Sequence, residues 1–382
     1  MSETNLNIQM VDLKSQYMKI KPQVDKAIND VLSSTQFING EHVKSFQNEL
    51  AAYLGVKHVI TCANGTDALQ ISMMALGLKP GDEIITPSFT YIATTEVIAL
   101  LGLKPVFVDC DPENFNISVE EVEKVITKKT KAIVPVHLFG QSSDMKSIMN
   151  LAKKHNLFVI EDNAQAIGSD YLGFNKPQKT GTIGNIGCTS FFPSKNLGCF
   201  GDGGAMMTND DELAEKIRMI ANHGQRKRYY HDIIGCNSRL DNIQAAVLRI
   251  KLKKLDQYIL NRQKAANYYD KNLKDLDQLK IPSRNIDSNH VFHQYTIKLD
   301  DNIVRDDLIQ YLAKKNIPAM VYYPVPAHLQ KMFSKIPNTY GDMKVTNWLS
   351  SRVFSLPMHT ELSTLQQDYI TENLFKYLKI NK

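Results

Sequence analysis

The segment Phe158-Val159-Ile160-Glu161-Asp162-Asn163-Ala164-Gln165-Ala166 indicates the fold most directly. Its short apolar run closes on Glu161 and Asp162, which is typical of the C-terminal end of a buried parallel strand. Open α/β sheets bind their ligands at that edge of the sheet. The segment therefore predicts a parallel sheet with Asp162 at a ligand site, although Asp162 could equally be the N-cap of a helix.

Strand and helix patterns alternate on both sides of this segment. This alternation predicts an α/β fold with a mostly parallel central sheet and helices on both of its faces. The expected strands cover residues 58–62, 83–87, 106–109, 132–138, 188–192 and 204–208. The expected helices cover residues 68–76, 92–101, 119–128 and a segment that ends near residue 155.

The pattern changes after Ala245, where a long helix is expected at about residues 242–273. Beyond it, the expected strands are 293–299 and 317–323, and the expected helices are 305–314 and 365–378. We therefore predict a large domain over residues 1–250 and a smaller C-terminal α/β domain over residues 251–382.

Lys195 follows an aromatic strand end, in the run Ser190-Phe191-Phe192-Pro193-Ser194-Lys195, and precedes a glycine-rich turn at 198–204. A lysine amine attacks a carbonyl only when it is neutral, and its ordinary pKa is about 10.4. Apolar neighbours or a nearby cation can lower that pKa. Glycines would let a flat ring approach the backbone. An ordinary surface lysine is the alternative, because Lys and Arg total 45 in this chain.

An aspartate at a strand end can keep a pyridine nitrogen protonated, which makes pyridoxal phosphate an electron sink. Lys195 follows Asp162 after one further predicted strand. The pair therefore favours Schiff-base chemistry with pyridoxal 5'-phosphate as the cofactor.

The motif Asn64-Gly65-Thr66 lies between a predicted strand and a predicted helix. Free backbone N–H groups and the helix dipole make such a helix start an anion site. Gly65 allows close approach and Thr66 can donate a hydroxyl hydrogen bond, although Thr66 could instead be an ordinary helix cap. No Walker A motif and no GxGxxG motif after a strand competes for a phosphate.

The composition excludes several other classes of protein. The net charge of +5 is modest for 382 residues, and basic residues cluster only at Lys128-Lys129-Lys131 and Arg226-Lys227-Arg228. We therefore expect no nucleic-acid partner. No apolar run is long enough for a membrane span, and the polar residues 1–10 lack a signal-peptide core. Five cysteines without a CxxC motif or a histidine cluster predict a cytoplasmic protein with reduced thiols and no metal site.

Taken together, these motifs resemble the DegT/StrS family of nucleotide-sugar aminotransferases, which are fold-type I enzymes that use pyridoxal phosphate. The resemblance extends from Val11-Asp12-Leu13 to Ser355-Leu356-Pro357-Met358-His359. Two further motifs carry it, Pro87-Ser88-Phe89-Thr90-Tyr91 and Gly235-Cys236-Asn237-Ser238-Arg239-Leu240.

The resemblance implies a role for each cofactor residue. Lys195 would carry the internal aldimine and move a proton between the substrate carbon and the cofactor. Asp162 would pair with the pyridinium nitrogen, and Gln165 would hydrogen-bond the ring hydroxyl. Phe89 would stack on the ring, unless it is an ordinary core residue. The phosphate would be held by Gly65, Thr66, Ser190 and, across a homodimer with shared active sites, by Asn237 of the other subunit.

A finer resemblance concerns the substrate. The Lys195 loop and residues 223–239 look most like the branch that aminates C3 of a UDP-linked N-acetyl 3-keto uronic acid for bacterial surface polysaccharide such as O-antigen. L-glutamate is the expected amino donor, with glutamine as an open alternative. Arginine suits the sugar carboxylate because its planar fork donates two parallel hydrogen bonds. The candidate substrate contacts are Arg228, His231, Arg239, Tyr323 and His328, whereas Arg226 and Lys227 could equally form a solvated loop.

Two other functions stay open. Relatives that aminate dTDP-linked 3-keto-6-deoxyhexoses have a similar His-Gly-Gln region, which here is His223-Gly224-Gln225. A regulator that binds pyridoxal phosphate without turnover would keep the same motifs. The dehydratases that resemble this family carry a histidine in place of the lysine, so Lys195 argues against that reading.

Overall fold

The structure is a computed structural model, and it describes residues 6–380. The ends of the two predicted domains, residues 1–5 and 381–382, lie outside the described residues. The first half of the polar N-terminal segment lies outside them for the same reason. The helices are α1 (Leu13–Ser34), α2 (Glu41–Leu54), α3 (Gly65–Ala75), α4 (Ala93–Leu100), α5 (Val119–Val125), α6 (Met145–His155), α7 (Asp211–Ile220), α8 (Asn242–Leu252), α9 (Leu255–Leu273), α10 (Arg305–Lys314), α11 (Lys344–Arg352) and α12 (Thr364–Ile380). The strands are β1 (His58–Cys62), β2 (Glu83–Pro87), β3 (Lys104–Val108), β4 (Thr130–Ile133), β5 (Phe158–Asp162), β6 (Asp170–Tyr171), β7 (Gln178–Lys179), β8 (Ile186–Ser190), β9 (Gly204–Thr208), β10 (Gln225–Lys227), β11 (Tyr230–His231), β12 (Leu279–Lys280), β13 (Tyr295–Leu299), β14 (Thr339–Tyr340) and β15 (Val353–Leu356).

The large sheet has eight strands in the order β1-β9-β8-β5-β4-β2-β3-β14. Strand β9 runs antiparallel to both of its neighbours, and the other pairs are parallel. This confirms the predicted mostly parallel α/β sheet. In the β5–β8 pair, Asp162 is the register partner of Cys188, so the C-terminal ends of these two strands lie side by side.

Both faces of this sheet are buried. Along β5, Val159 packs in the core with α5 and α6, whereas the next residue, Ile160, packs in the core with α3, α4 and α7. In β9, Met206 packs in the core with α3, α4 and α7, whereas Met207 packs on the other face against α2 and α8. Successive strand residues point to opposite faces. The continuous apolar strands of the sequence therefore follow from helix layers on both sides.

A second core lies in the C-terminal part, around the antiparallel sheet β12-β13-β15 and the helices α10 and α12. Helix α9 contributes to both cores: Ile259 packs in the core of the large sheet, and Ala265 packs in the second core. Strand β14 returns to the large sheet and pairs with β3. The boundary between residues 250 and 251 stays a prediction, with the change of core falling along α9.

Three expected elements differ from the structure. The strand expected at 132–138 ends at Ile133, because Pro135 has no backbone N–H to donate to a neighbour. Residues 317–323 form only an isolated bridge at Met320, between Pro318 and Pro324. The long helix expected at 242–273 is broken between Leu252 and Leu255. Helices α1, α2, α7 and α11 were not predicted.

The buried Arg262 of α9 holds the C-terminal part together. Its Nη1 donates to the carbonyl oxygens of Phe292, His293 and Met358 at 3.0, 3.2 and 3.0 Å. Phe292 and His293 precede β13, and Met358 follows β15. The side chain therefore ties one helix to the two neighbouring strands of the small sheet.

We expect Arg262→Met to lower the free energy of unfolding by about 3 kcal/mol, because it leaves buried carbonyls without a donor. Urea unfolding followed by circular dichroism measures the change. Lys264→Met, at an exposed position of the same helix, is the control and should change it by less than about 0.5 kcal/mol. Equal effects of the two substitutions would contradict the role given to Arg262.

Candidate active site

A cavity of about 670 Å³ lies at the C-terminal ends of β5 and β8. Many of the residues predicted for the site line it together: Gly65, Thr66, Asp162, Gln165, Ser190, Lys195 and Tyr323. It therefore lies at the strand edge where the sequence predicted a ligand site.

The Lys195 loop is closed by backbone hydrogen bonds. Phe191 donates to the carbonyl of Gly203 at 2.7 Å, and the amide of Lys195 donates to the carbonyl of Phe192 at 2.9 Å. A Cβ on Gly198 would lie 2.3 Å from the carbonyl oxygen of Pro193. The turn glycines lie outside the cavity lining. The expectation that they make room for a flat ring is therefore wrong, since at Gly198 it is the protein's own backbone that needs the space.

The charge of Lys195 is set by two opposing effects. Removal of the amine from water lowers its pKa and the negative charge of Asp162 raises it, and the net effect is a decrease from 10.5 to about 8. A substantial neutral fraction is therefore present near pH 8. This is the state that a nucleophilic lysine requires.

Asp162 is buried and accepts a hydrogen bond at each carboxylate oxygen. Thr94 Oγ1 donates to Oδ2 at 2.7 Å, and the amide of Ala164 donates to Oδ1 at 3.1 Å. Residues 164–168 form turns rather than a helix. The alternative that Asp162 caps a helix is therefore wrong, and its carboxylate lines the cavity.

Gln165 has a fixed amide orientation. Its Oε1 accepts from the backbone N–H of Phe139 at 2.7 Å, and its Nε2 donates to the Tyr323 hydroxyl at 2.9 Å. Burial raises the pKa of Tyr323, so this hydroxyl stays protonated. One N–H of Gln165 is left to donate to a ligand, because a primary amide carries two hydrogens.

The start of α3 has the backbone geometry that binds anions. Asn64 is the N-cap and its side chain accepts from the amide of Asp67 at 2.8 Å, so the alternative that Thr66 is the cap is wrong. The first backbone N–H groups of the helix, at Gly65 and Thr66, have no carbonyl partner within the helix. A Cβ on Gly65 would lie 2.7 Å from the Cβ of Ser190, so only glycine allows these two segments to meet.

The aromatic residue that lines the cavity is not the one that was predicted. Phe89 is buried against Phe115, Phe139 and Tyr323, and it is not among the residues that line the cavity. Its position does not support the stacking role predicted for it. Tyr91, which was not predicted, lines the cavity and is 56% exposed.

Most of the candidate substrate contacts lie elsewhere. Arg228 and His231 are exposed on the β10–β11 hairpin. Arg239 lines a separate cavity of about 220 Å³ together with Arg218. His328 is buried, and its Nδ1 lies 2.6 Å from Ser88 Oγ. Of the predicted substrate contacts, only Tyr323 lines the Lys195 cavity.

Asn237 also lies outside the cavity lining of its own chain. It is exposed and precedes Ser238, whose hydroxyl donates to Asp67 at 2.6 Å. Asp67 lines the cavity, so the residue that follows Asn237 contacts the cavity wall. Its contact with the phosphate of another subunit stays a prediction.

Sequence reasoning missed several residues of the cavity wall, notably Asp67, Asp202 and His293. Burial and the nearby Lys195 lower the pKa of His293 well below its usual value, so this imidazole is neutral. Asp202 lies in the glycine-rich turn at 198–204, and Asp67 directly follows the Asn64-Gly65-Thr66 motif, so these two segments carried the signal. Within residues 6–380, no group of His, Cys, Asp and Glu residues is arranged to hold a metal ion, and no helix has both the length and the apolar character of a membrane span.

The lowered pKa of Lys195 can be measured by competitive acetylation of cofactor-free protein between pH 6 and 11, followed by mass spectrometry of its peptide. We expect half-maximal reactivity near pH 8, against about 10.4 for a lysine in an unstructured peptide. Asp162→Asn removes the charge that favours the ammonium form and should shift the midpoint to lower pH. A midpoint near the ordinary lysine value would contradict the burial effect.

Comparison with known proteins identifies the chain. The model of the DegT/DnrJ/EryC1/StrS aminotransferase family matches residues 18–375. The pleiotropic regulatory protein of Geobacillus stearothermophilus is 45% identical, over 98% of this chain and 99% of its own length. The UDP-2-acetamido-2-deoxy-3-oxo-D-glucuronate aminotransferase of Pseudomonas aeruginosa is also 45% identical, over 94% and 96%.

A crystal structure of DesV from S. venezuelae, in complex with a ketimine intermediate, has a TM-score of 0.93 and 37% identity, covering 98% of this chain and 99% of DesV. The resemblance found in the sequence is thus confirmed. The chain belongs to the DegT/DnrJ/EryC1/StrS aminotransferase family and is a pyridoxal 5'-phosphate-dependent aminotransferase.

Proposed function

We propose that this protein transfers the amino group of L-glutamate to C3 of a UDP-linked N-acetyl 3-keto uronic acid, in the cytoplasm, for bacterial surface polysaccharide such as O-antigen. The observation that carries the chemistry is the single cavity that joins Lys195, Asp162 and the anion site at α3. The likeness to the Pseudomonas aeruginosa relative supports the choice of sugar.

The cavity fits the cofactor. The phosphate would accept hydrogen bonds from the backbone of Gly65 and from the hydroxyls of Thr66 and Ser190, at the positive end of the α3 dipole. Pyridoxal phosphate supplies a carbonyl for the amine of Lys195 and a ring that takes up the electrons released when a proton leaves the substrate carbon. Asp162, with both oxygens already positioned by donors, would accept the ring N–H.

The remaining groups would orient the ring and move the proton. Gln165 has one N–H free for the ring hydroxyl, and Tyr91 offers an exposed aromatic face where Phe89 does not. Lys195 would act as the base that takes the proton from the substrate carbon and returns it to the cofactor side. Its pKa of about 8 suits this task, since a general base works best near the operating pH.

The charge of the cavity supports a shared site in a homodimer. The ionisable acidic residues on the wall are Asp67, Asp162 and Asp202, and among the described residues of one chain no arginine lines it. A phosphate, glutamate and a nucleotide sugar all bring further negative charge. Cations must therefore come from another surface, and Arg228 and Arg239 are available outside the cavity.

The apolar surface near those cations supports the same proposal. Tyr229, Tyr230 and Ile234 are 75, 60 and 86% exposed, in the segment that carries Arg228 and precedes Asn237. Such a cluster of exposed apolar side chains marks an interface. We propose that a second copy of the chain covers it and that Asn237 and the arginines complete the neighbouring active site.

Two alternatives remain. Amination of a dTDP-linked 3-keto-6-deoxyhexose would use the same cofactor residues, since the sugar contacts lie apart from them. A non-enzymatic regulator that binds the cofactor is favoured by the name of the Geobacillus stearothermophilus relative. A lysine with a lowered pKa beside Asp162 favours turnover.

The substrate proposal is tested by kcat/KM with glutamate and each of the two keto-sugars, with mass spectrometry of the aminated product. We expect a preference for the uronic acid. Losing one partner of a charge-assisted pair in a partly closed site costs about 2–5 kcal/mol. Arg239→Ala should therefore reduce use of the uronic acid by about 30-fold or more relative to an analogue with a neutral C6.

Lys128→Ala is the control, because Lys128 is an exposed cation that follows α5 and lies outside the β10–β11 hairpin. Preference of the unchanged enzyme for the dTDP-linked sugar would reject the uronate and leave the first alternative. Absence of turnover with every keto-sugar, despite bound cofactor, would favour the regulator. Equal losses on both sugars in Arg239→Ala would show only a role in folding or cofactor binding.

The shared site is tested by mixing two inactive variants. Lys195→Ala lacks the nucleophile, and Asn237→Trp should block the phosphate site that its residue completes. If Asn237 acts across the dimer, each heterodimer contains one site with both residues intact, so random exchange restores about a quarter of the activity. Affinity tags on the two variants verify exchange. Proven exchange without recovered activity would place Asn237 outside the neighbouring site.

A further inference from the structure

Thr94 contacts the carboxylate of Asp162 without lining the cavity. It is the second residue of α4, it is fully buried, and it is not among the residues that line the cavity. Its hydroxyl donates to Asp162 Oδ2 at 2.7 Å. Thr94 therefore binds Asp162 from within the protein, so the part of the carboxylate that faces the cavity stays free for a ligand.

The direction of the hydrogen bonds follows from the number of hydrogens. An ionised carboxylate only accepts, and a hydroxyl has one hydrogen to donate. Thr94 gives its hydrogen to Asp162, so the contact of 3.3 Å between the hydroxyls of Thr90 and Thr94 must be a donation from Thr90. Thr90 lines the cavity. The two threonines thus form a chain of donors that ends on Asp162.

We propose that Thr94 is a positioning residue that holds Asp162 ionised and oriented, so that the proton of the pair stays on the ring nitrogen of the cofactor. A hydrogen bond to the charged form of a carboxylate favours that form. Without the Thr94 donor, the carboxylate competes better for the shared proton, and the ring becomes a weaker electron sink. The inference rests on the proposed pairing of Asp162 with the ring nitrogen.

The chain offers a conservative variant and a matched control. Thr94→Val removes the hydroxyl with little change of shape, and Thr94→Ser keeps it. Thr95→Val changes the adjacent residue, which is equally buried but whose hydroxyl donates to the carbonyl of Ile92 at 3.0 Å. Only the first substitution removes a donor from Asp162.

The test is the ¹⁵N resonance of the ring nitrogen in holoenzyme loaded with ring-labelled cofactor, recorded by solid-state NMR. We expect Thr94→Val to move this resonance toward the value of an unprotonated pyridine and to lower kcat by about tenfold, as loss of one charge-assisted hydrogen bond should. Thr94→Ser and Thr95→Val should keep the resonance of the unchanged enzyme. If Thr94→Val does not fold, Thr94→Ala takes its place.

Asp162→Asn separates the two proposals. A resonance shifted in Asp162→Asn but unchanged in Thr94→Val would overturn the role of Thr94 alone. A resonance unchanged in Asp162→Asn would remove the proposed role of Asp162, and the role of Thr94 with it. Equal shifts in Thr94→Val and Thr95→Val would show a general disturbance of α4 and would also overturn the inference.

Discussion

The site depends on the juxtaposition of the Lys195 amine and the Asp162 carboxylate in one cavity. Burial favours the neutral amine, and the carboxylate favours the charged one, and the balance lowers the pKa of the amine to about 8. The parallel pairing of β5 with β8 creates this juxtaposition, because it puts Asp162 beside Cys188, just before the loop that carries Lys195. The helix layers on both faces keep the two strands in that register.

The residues that line the cavity could be predicted where they follow a local pattern. Asp162 ends a buried strand, as the apolar run before it predicted, whereas β8 ends at Ser190, two residues before the strand end expected from the sequence. The aromatic residue that lines the cavity could not be predicted in the same way. Phe89 and Tyr91 both follow β2, whose residues are all buried, so no periodicity tells which ring faces the cavity. The backbone beyond the strand decides this, and it turns Phe89 into the core.

The helix and strands that were predicted wrongly show where tertiary structure overrides the local sequence pattern. No glycine or proline marks the break between α8 and α9, so the amphipathic pattern runs through it. Beyond the break, Leu255 and Ile259 still pack in the core of the large sheet, and α9 enters the second core only at Ala265. Pro135, Pro318 and Pro324 lie within or next to two segments whose apolar composition predicted strands. A proline has no N–H to donate to a neighbouring strand, and the structure shows that this lack interrupts both segments.

The residues that line the cavity and the candidate sugar contacts lie in different parts of this chain. The residues that fit the cofactor lie at strand ends and at the start of α3, where the sheet register fixes them. The arginines suited to a sugar carboxylate lie on the β10–β11 hairpin and beside α7, outside that cavity. Loops and hairpins can change without disturbing a sheet. A fold built in this way can retain one amino-transfer chemistry while its sugar specificity diverges, which is why the family motifs identify the reaction more directly than the sugar.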